Sequence, residues 1–199
     1  MQFAFDPEEV VQAASAAVAN RTGPASNFLD DLPGALYVTD TEGVITHFNK
    51  ACIGFAGRVP VINRDRWCVT WRLFREDDSF LPHDQCPMAV AIQQRRPVRG
   101  TTAIARRPDG TRVSFIPYPT PVFDAAGVFV GGVNLLFDIT GDPERERWLQ
   151  EARRCHRLAQ SIADPHTIQT LKAMATEYEE RARECVVGRT SLPVSVCSP

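Results

Sequence analysis

The sequence predicts an α+β fold: a five-stranded antiparallel sheet packed with short helices, flanked by an N-terminal helix and a C-terminal helical hairpin. Three observations predict it. β-Branched and aromatic residues cut by Gly-containing turns occur in two groups, one early from Leu36 to Phe48 and one late from Thr101 to Phe137, which is strand chemistry. The residues between, Asn49 to Pro97, read as short helices and loops. Three Asp-Pro dipeptides, Asp6-Pro7, Asp142-Pro143 and Asp164-Pro165, each precede an amphipathic stretch outside these groups. An N-cap Asp followed by Pro at the first helical position marks a helix start.

In chain order, the helix from Pro7 places Val10, Val11, Ala14, Ala17 and Val18 on one side. Leu36 to Asp40 and Val44 to Phe48 are two short strands around the turn Thr41-Glu42-Gly43. In the middle the clearest helix runs from Gln85 to Gln94, with Asp84 as N-cap and Pro87 inside the permissive first turn. Pro108-Asp109-Gly110 supplies residues that tolerate the positive φ of a tight hairpin, so Thr101 to Arg107 and Thr111 to Tyr118 pair antiparallel. A second turn, Asp124 to Gly127, leads into Val128 to Phe137, an apolar run suited to a central strand. Trp148, Ala152, Cys155, Ala159 and Ile162 then alternate by four and three, as do Ile168, Leu171, Ala175, Tyr178 and Ala182. The short connection Ser161 to Pro165 makes these two helices antiparallel neighbours. After Glu184 no period persists, which reads as a flexible tail. The expected organisation is an N-terminal helical extension over 1–28, a sheet domain over 29–140, the hairpin over 141–184 and the tail over 185–199.

Composition narrows the function. The chain has 199 residues, room for one ordinary domain with helical extensions, and at 44% hydrophobic it can bury a core. Lys+Arg at 22 against Asp+Glu at 24 gives a net charge of -2, so no broad field favours nucleic acid. The N-terminus lacks the basic start and apolar run of a secretion signal, and no stretch approaches the ~20 apolar residues of a membrane span. A cytoplasmic protein that does not engage membranes is expected. The six cysteines form no CxxC pair, which reads as reduced, mostly buried thiols.

Two strands, a helical middle and three strands closed by Asp138-Ile139-Thr140 follow one another here. LDDLPGALYVTDTEGVITHFNKAC, with Asp40, Gly43 and Phe48-Asn49, resembles the opening of many bacterial PAS domains. RRPDGTRVSFIPYPTPVFDAAGVFVGGVNLLFDIT resembles their closing hairpin, exit strand and DIT boundary. The resemblance covers Leu29 to Thr140; within it, WCVTWRLF followed by LPHDQCPMAVAIQQRRPVRG is similar to a subgroup of alphaproteobacterial modules that stand alone or precede sensor kinase cores. It implies a curved five-stranded antiparallel sheet, which in the family sometimes holds heme, flavin or a small metabolite, and a sensing role relayed through flanking helices.

The candidate ligand-binding set is Trp67, Cys68, Trp71, His83, Cys86 and Met88. Cys86 leads it, because a helix start favours a thiolate. With Pro87 it forms a Cys-Pro dipeptide like those that ligate heme through sulfur, and His83 lies three residues before it; heme is therefore kept open, the competing reading being a small apolar core residue and a solvated loop histidine. Cys68, Cys86 and His83 can in principle form a soft metal site, yet the short paired spacings of structural zinc are missing and no metal is expected. RWCVTWRLF lacks the residues around the cysteine of an NCRFLQ-type flavin motif, which speaks against flavin. His47 reads as an edge-strand residue, His156 as a solvated helix residue without a kinase H-box around it, and Gly131-Gly132 as a close-packing or bulge site within a strand. No catalytic constellation and no phosphate loop is readable. Val10, Val11, Ala14, Trp148, Ala152, Leu158, Ile168, Leu171 and Tyr178 are the expected oligomer and output contacts, with a homo-oligomer and a signalling partner protein as the implied assemblies. The reading is a non-enzymatic sensor or adaptor that binds a small ligand or a partner protein. Its alternatives are a heme- or metal-binding redox sensor using Cys86 and a truncated sensor histidine kinase lacking its catalytic domain.

Overall fold

The early and late strands meet in one antiparallel sheet. The structure, a computed structural model, describes residues 6–19 and 29–190. The described residues divide into two compact units, one before and one after the Thr140–Gly141 junction. In the first unit the strands are β1 (Ala35–Thr39), β2 (Ile45–Phe48), β3 (Arg72–Phe74), β4 (Phe80–Leu81), β5 (Ala103–Arg106), β6 (Arg112–Pro117), β7 (Thr120–Phe123) and β8 (Phe129–Asp138). Their order across the sheet is β2-β1-β8-β6-β5-β3-β4, with β7 also paired to β8. Thus β8, the last strand, lies at the centre and pairs with the first, Tyr37 facing Asn134 and Val38 facing Val133.

The sheet has more strands than the five expected, for two physical reasons. The strand predicted over Thr111 to Tyr118 ends as β6 at Pro117, and a strand that was not predicted, β7, begins just beyond it at Thr120; both pair with β8. Pro119 between them has no N–H to give the ladder. In the middle segment, expected as helices and loops, β3 pairs with β5 and β4 folds back on β3. Three and two residues are too short to show a period.

Asp side chains close the turns. Asp40 Oδ1 accepts from the Glu42 and Val44 N–H groups at 2.9 Å, and Asp124 Oδ1 does the same for Ala126 and Val128. Asn49 is buried and fully used: its Oδ1 accepts from Leu36 N at 3.0 Å while Nδ2 donates to the Leu29 and Gly34 carbonyls. That explains why a Phe-Asn pair ends β2. Gly131 must lack a Cβ, which would sit 2.1 Å from the Thr39 carbonyl oxygen; the register shift in β7 falls opposite it.

One sheet face packs on α2 (Ala51–Ala56) and α3 (Pro87–Gln94) through Ala35, Tyr37, Phe55, Met88, Ile92 and Phe115. α1 (Pro7–Ala19) packs on β7 and β8 with Val10, Val11 and Ala14 buried. Arg99 fixes it, donating to both Glu8 carboxylate oxygens, at 2.6 and 3.0 Å, and to Pro119 O and Thr120 Oγ1. The α1 stripe expected to face a partner is therefore taken up by the chain's own sheet. Residues 1–5 and 20–28, the rest of the predicted N-terminal extension, lie outside the described residues.

In the second unit α4 (Pro143–Ser161) and α5 (Pro165–Thr190) form the predicted hairpin. Asp142 caps α4, accepting from Glu144 N and Arg145 N. Trp148 stacks on Tyr178 with ring centroids 5.8 Å apart, Arg181 covers Trp148, and Ala152, Cys155, Ala159, Ala175 and Ala182 are buried. α5 continues past Glu184 to Thr190, correcting the tail expected from there: Gly188 costs a helix about 1 kcal/mol but does not stop it, and fading periodicity is no stop signal. The remaining tail, 191–199, lies outside the described residues. Among the described residues no helix is long and apolar enough to cross a membrane.

Candidate functional site

The segment between α2 and β3 builds the candidate site. It is laced to the β1–β2 hairpin by backbone bonds, Asn63 N to Ile45 O at 2.8 Å, Ile45 N to Asp65 O at 2.9 Å and Trp67 N to Gly43 O at 2.8 Å. Arg58 holds it from the other side, paired with the Asp65 carboxylate and donating to Val69 O. Trp67 is held in strained backbone, with φ of 68°. Its ring lies so close to Gly43, itself at φ 80°, that a Cβ there would fall 2.1 Å from it.

Beneath Trp67 runs a buried polar chain. Asn134 Nδ2 on β8 donates to Tyr37 Oη on β1 at 2.9 Å, and Tyr37 Oη donates to Trp67 O at 2.7 Å. Thr70 Oγ1 donates to Cys68 Sγ at 3.2 Å and lies 3.5 Å from His83 Nε2. The Cys86 thiol approaches Trp67 O at 3.9 Å. Asn134 Oδ1 and Thr39 Oγ1, both buried, have no hydrogen-bond partner among the described residues. Burial, reinforced by Cys68 and Cys86, holds the Tyr37 hydroxyl well above the usual phenol range. Burial, with the Arg58 charge second, lowers His83, favouring the neutral imidazole.

Trp67, Cys68, Trp71 and His83 come together around a cavity of ≈ 570 Å³, whose rim carries Arg58 and Asp65. Trp71 is 42% exposed at its edge, with the Arg72 guanidinium 4.4 Å from its ring centre. The other two predicted members do not line it. Met88 is fully buried in the core, and Cys86 is 2% exposed. Cys86 is the N-cap of α3, preceded by a 3₁₀ turn at His83–Gln85, where a helix from Gln85 capped by Asp84 was expected. Its thiol is pushed up to about 12 by burial first and Cys68 next, against the smaller opposing effect of the Met88 and Ala89 N–H groups. The helix-start argument for a thiolate is thereby reversed: desolvation outweighs the dipole. Cys52 and Cys68 are raised by burial too. Among the described residues no group of three or more His, Cys, Asp or Glu side chains is placed to hold a metal ion.

Sequence reasoning missed Tyr37, Asn134, Thr70 and Arg58. Asn134 was the findable one, the single polar side chain in the apolar run Phe129 to Phe137; its partner follows from the register. The histidines set aside are accounted for: His47 sits on edge strand β2, and His156 Nε2 meets Glu179 Oε1 at 2.8 Å.

No family model matches the chain, and no curated protein matches it. Solved structures are similar to it. A LOV protein of Rhodobacter sphaeroides is 11% identical over 88% of this chain and 98% of that one, with a TM-score of 0.45. The PAS domain of a Colwellia psychrerythraea protein is 17% identical over 57% and 92%, TM-score 0.39. The PAS domain of BvgS from Bordetella pertussis is 22% identical over 64% and 93%, TM-score 0.40. At these values the likenesses carry no argument, and the description of the fold rests on its own strand order and register.

Proposed function

We propose that the chain is a non-enzymatic sensor or adaptor whose sheet unit takes up a small ligand or a partner segment at the cavity of Trp67, Trp71 and His83. The occupied state passes to the hairpin α4–α5, the output and self-association surface. One observation carries this reading: the cavity wall at Trp67 is bonded through Tyr37 to Asn134 on β8, the strand whose chain continues into α4. A ligand that moves Trp67 must break or re-aim the Tyr37 bond, and a buried orphaned hydroxyl costs about 1–3 kcal/mol. That is enough to shift a two-state equilibrium about five- to 150-fold. With Val10, Val11 and Ala14 buried, self-association falls to the hairpin, where Leu158 is exposed and Ile168 and Leu171 are half-buried. The heme alternative weakens, since a thiol buried and raised like that of Cys86 is a poor thiolate donor. The alphaproteobacterial affinity stands on the WCVTWRLF and LPHDQCPMAV segments.

Native mass spectrometry of the full chain, with its near-UV and visible spectrum, tests the reading. A dimer mass carrying a small molecule that the variant His83→Ala loses is the expected result. A Soret band, or a bare monomer in which no compound of a metabolite mixture is retained, overturns it.

A further inference from the structure

A second cavity, of ≈ 540 Å³, opens on the other side of Trp67, between α3 and the β7–β8 turn. Its lining sets the apolar side chains of Trp67, Ile92, Val128 and Phe129 beside the polar ones of Thr41 and Gln93, and of its lining residues Arg95 alone is charged. Arg95 has an unusual setting. It ends α3 in the left-handed region, φ 51° and ψ 37°, where glycine is the ordinary choice because a Cβ is strained. Its guanidinium lies 5.4 Å from the Phe129 ring centre, and among the described residues no carboxylate pairs with it. A cation at a helix C-terminus serves the helix dipole, but that effect needs neither strain nor a neighbouring aromatic cavity. Strain retained at a residue that brings the one charge to a cavity lined by two aromatic rings points to function. Val128, 58% exposed at the rim, leaves room for entry.

We infer that this cavity binds a small aromatic carboxylate, its ring against Trp67 and Phe129 and its carboxylate on Arg95. The volume suits a small molecule, a flat apolar body matches the two rings, and only an anion gives Arg95 the charge-assisted partner it lacks. The inference is independent of the His83 cavity, from which it differs in every lining residue except Trp67.

Calorimetric titration of the full chain with phenylacetate and with its uncharged amide, phenylacetamide, tests it. Saturable phenylacetate binding, about tenfold or more tighter than the amide, is expected, a charge-assisted bond being worth that much. Arg95→Gly should abolish the preference while raising the melting temperature, because glycine relieves the strained backbone. Absence of saturable binding at millimolar phenylacetate overturns the inference. So does a preference for the anion that survives in Arg95→Gly.

Discussion

A cysteine at a helix start and a cysteine in a core are opposite chemical objects, and Cys86 is both. Two backbone N–H groups face its sulfur, yet removal from water decides the outcome and lifts the thiol to about 12 from an ordinary 9.0. The consequence for stability has a definite sign. The folded chain keeps the proton that the unfolded chain loses above pH 9.0, so Cys86 contributes fully below that pH and its contribution falls as pH rises toward about 12. The loss is about 1.4 kcal/mol per pH unit in that window. Urea unfolding from neutral to strongly alkaline pH should therefore show Cys86→Ala closing the gap to the unmodified chain as pH rises. A gap that stays constant would mean the thiol is not desolvated as described. The residue's position was legible in the sequence; its burial was not, because burial depends on what the sheet brings against it.

At the scale of elements, the strands with a turn residue at each end were legible. Asp40, Asp109 and Asp124 each fold their own turn through short side-chain bonds, a local effect that needs no tertiary partner. Elements made by pairing alone were not: β3 and β4 exist because β5 offers an edge. The candidate cavity divides the same way. Trp67, Cys68, Trp71 and His83 come from one continuous region that composition marks out, whereas Tyr37 and Asn134 join the site only through a register contact 97 residues apart. The β1–β2 turn and the Trp67 wall form one mechanical unit, because the ring occupies the space a Gly43 side chain would need. Gly43→Ala combines positive φ with that clash and should cost at least ~2 kcal/mol in chemical denaturation. It should also change the Trp67 environment seen in near-UV circular dichroism. An unchanged spectrum and stability would show that Trp67 does not lean on this turn.

At the scale of the whole chain, the proposed function gives the two units different tasks. The sheet unit holds both cavities, with Trp67 as their shared wall, and fastens its own N-terminal helix through Arg99 and Glu8. The hairpin unit presents charged faces and a seam of alanines locked by the Trp148–Tyr178 stack. In the proposed function β8 is what joins them, since it carries Asn134 at its centre and its chain runs on toward Asp142. The most direct test is segment-resolved amide hydrogen exchange of the full chain and of Tyr37→Phe, which deletes only the hydroxyl between Trp67 O and Asn134. A relay through β8 predicts faster exchange in the segment around Trp67 and also in α4, beyond the change in global stability measured by denaturation. Faster exchange confined to the Trp67 segment and the neighbouring strands, with α4 unchanged, would contradict it.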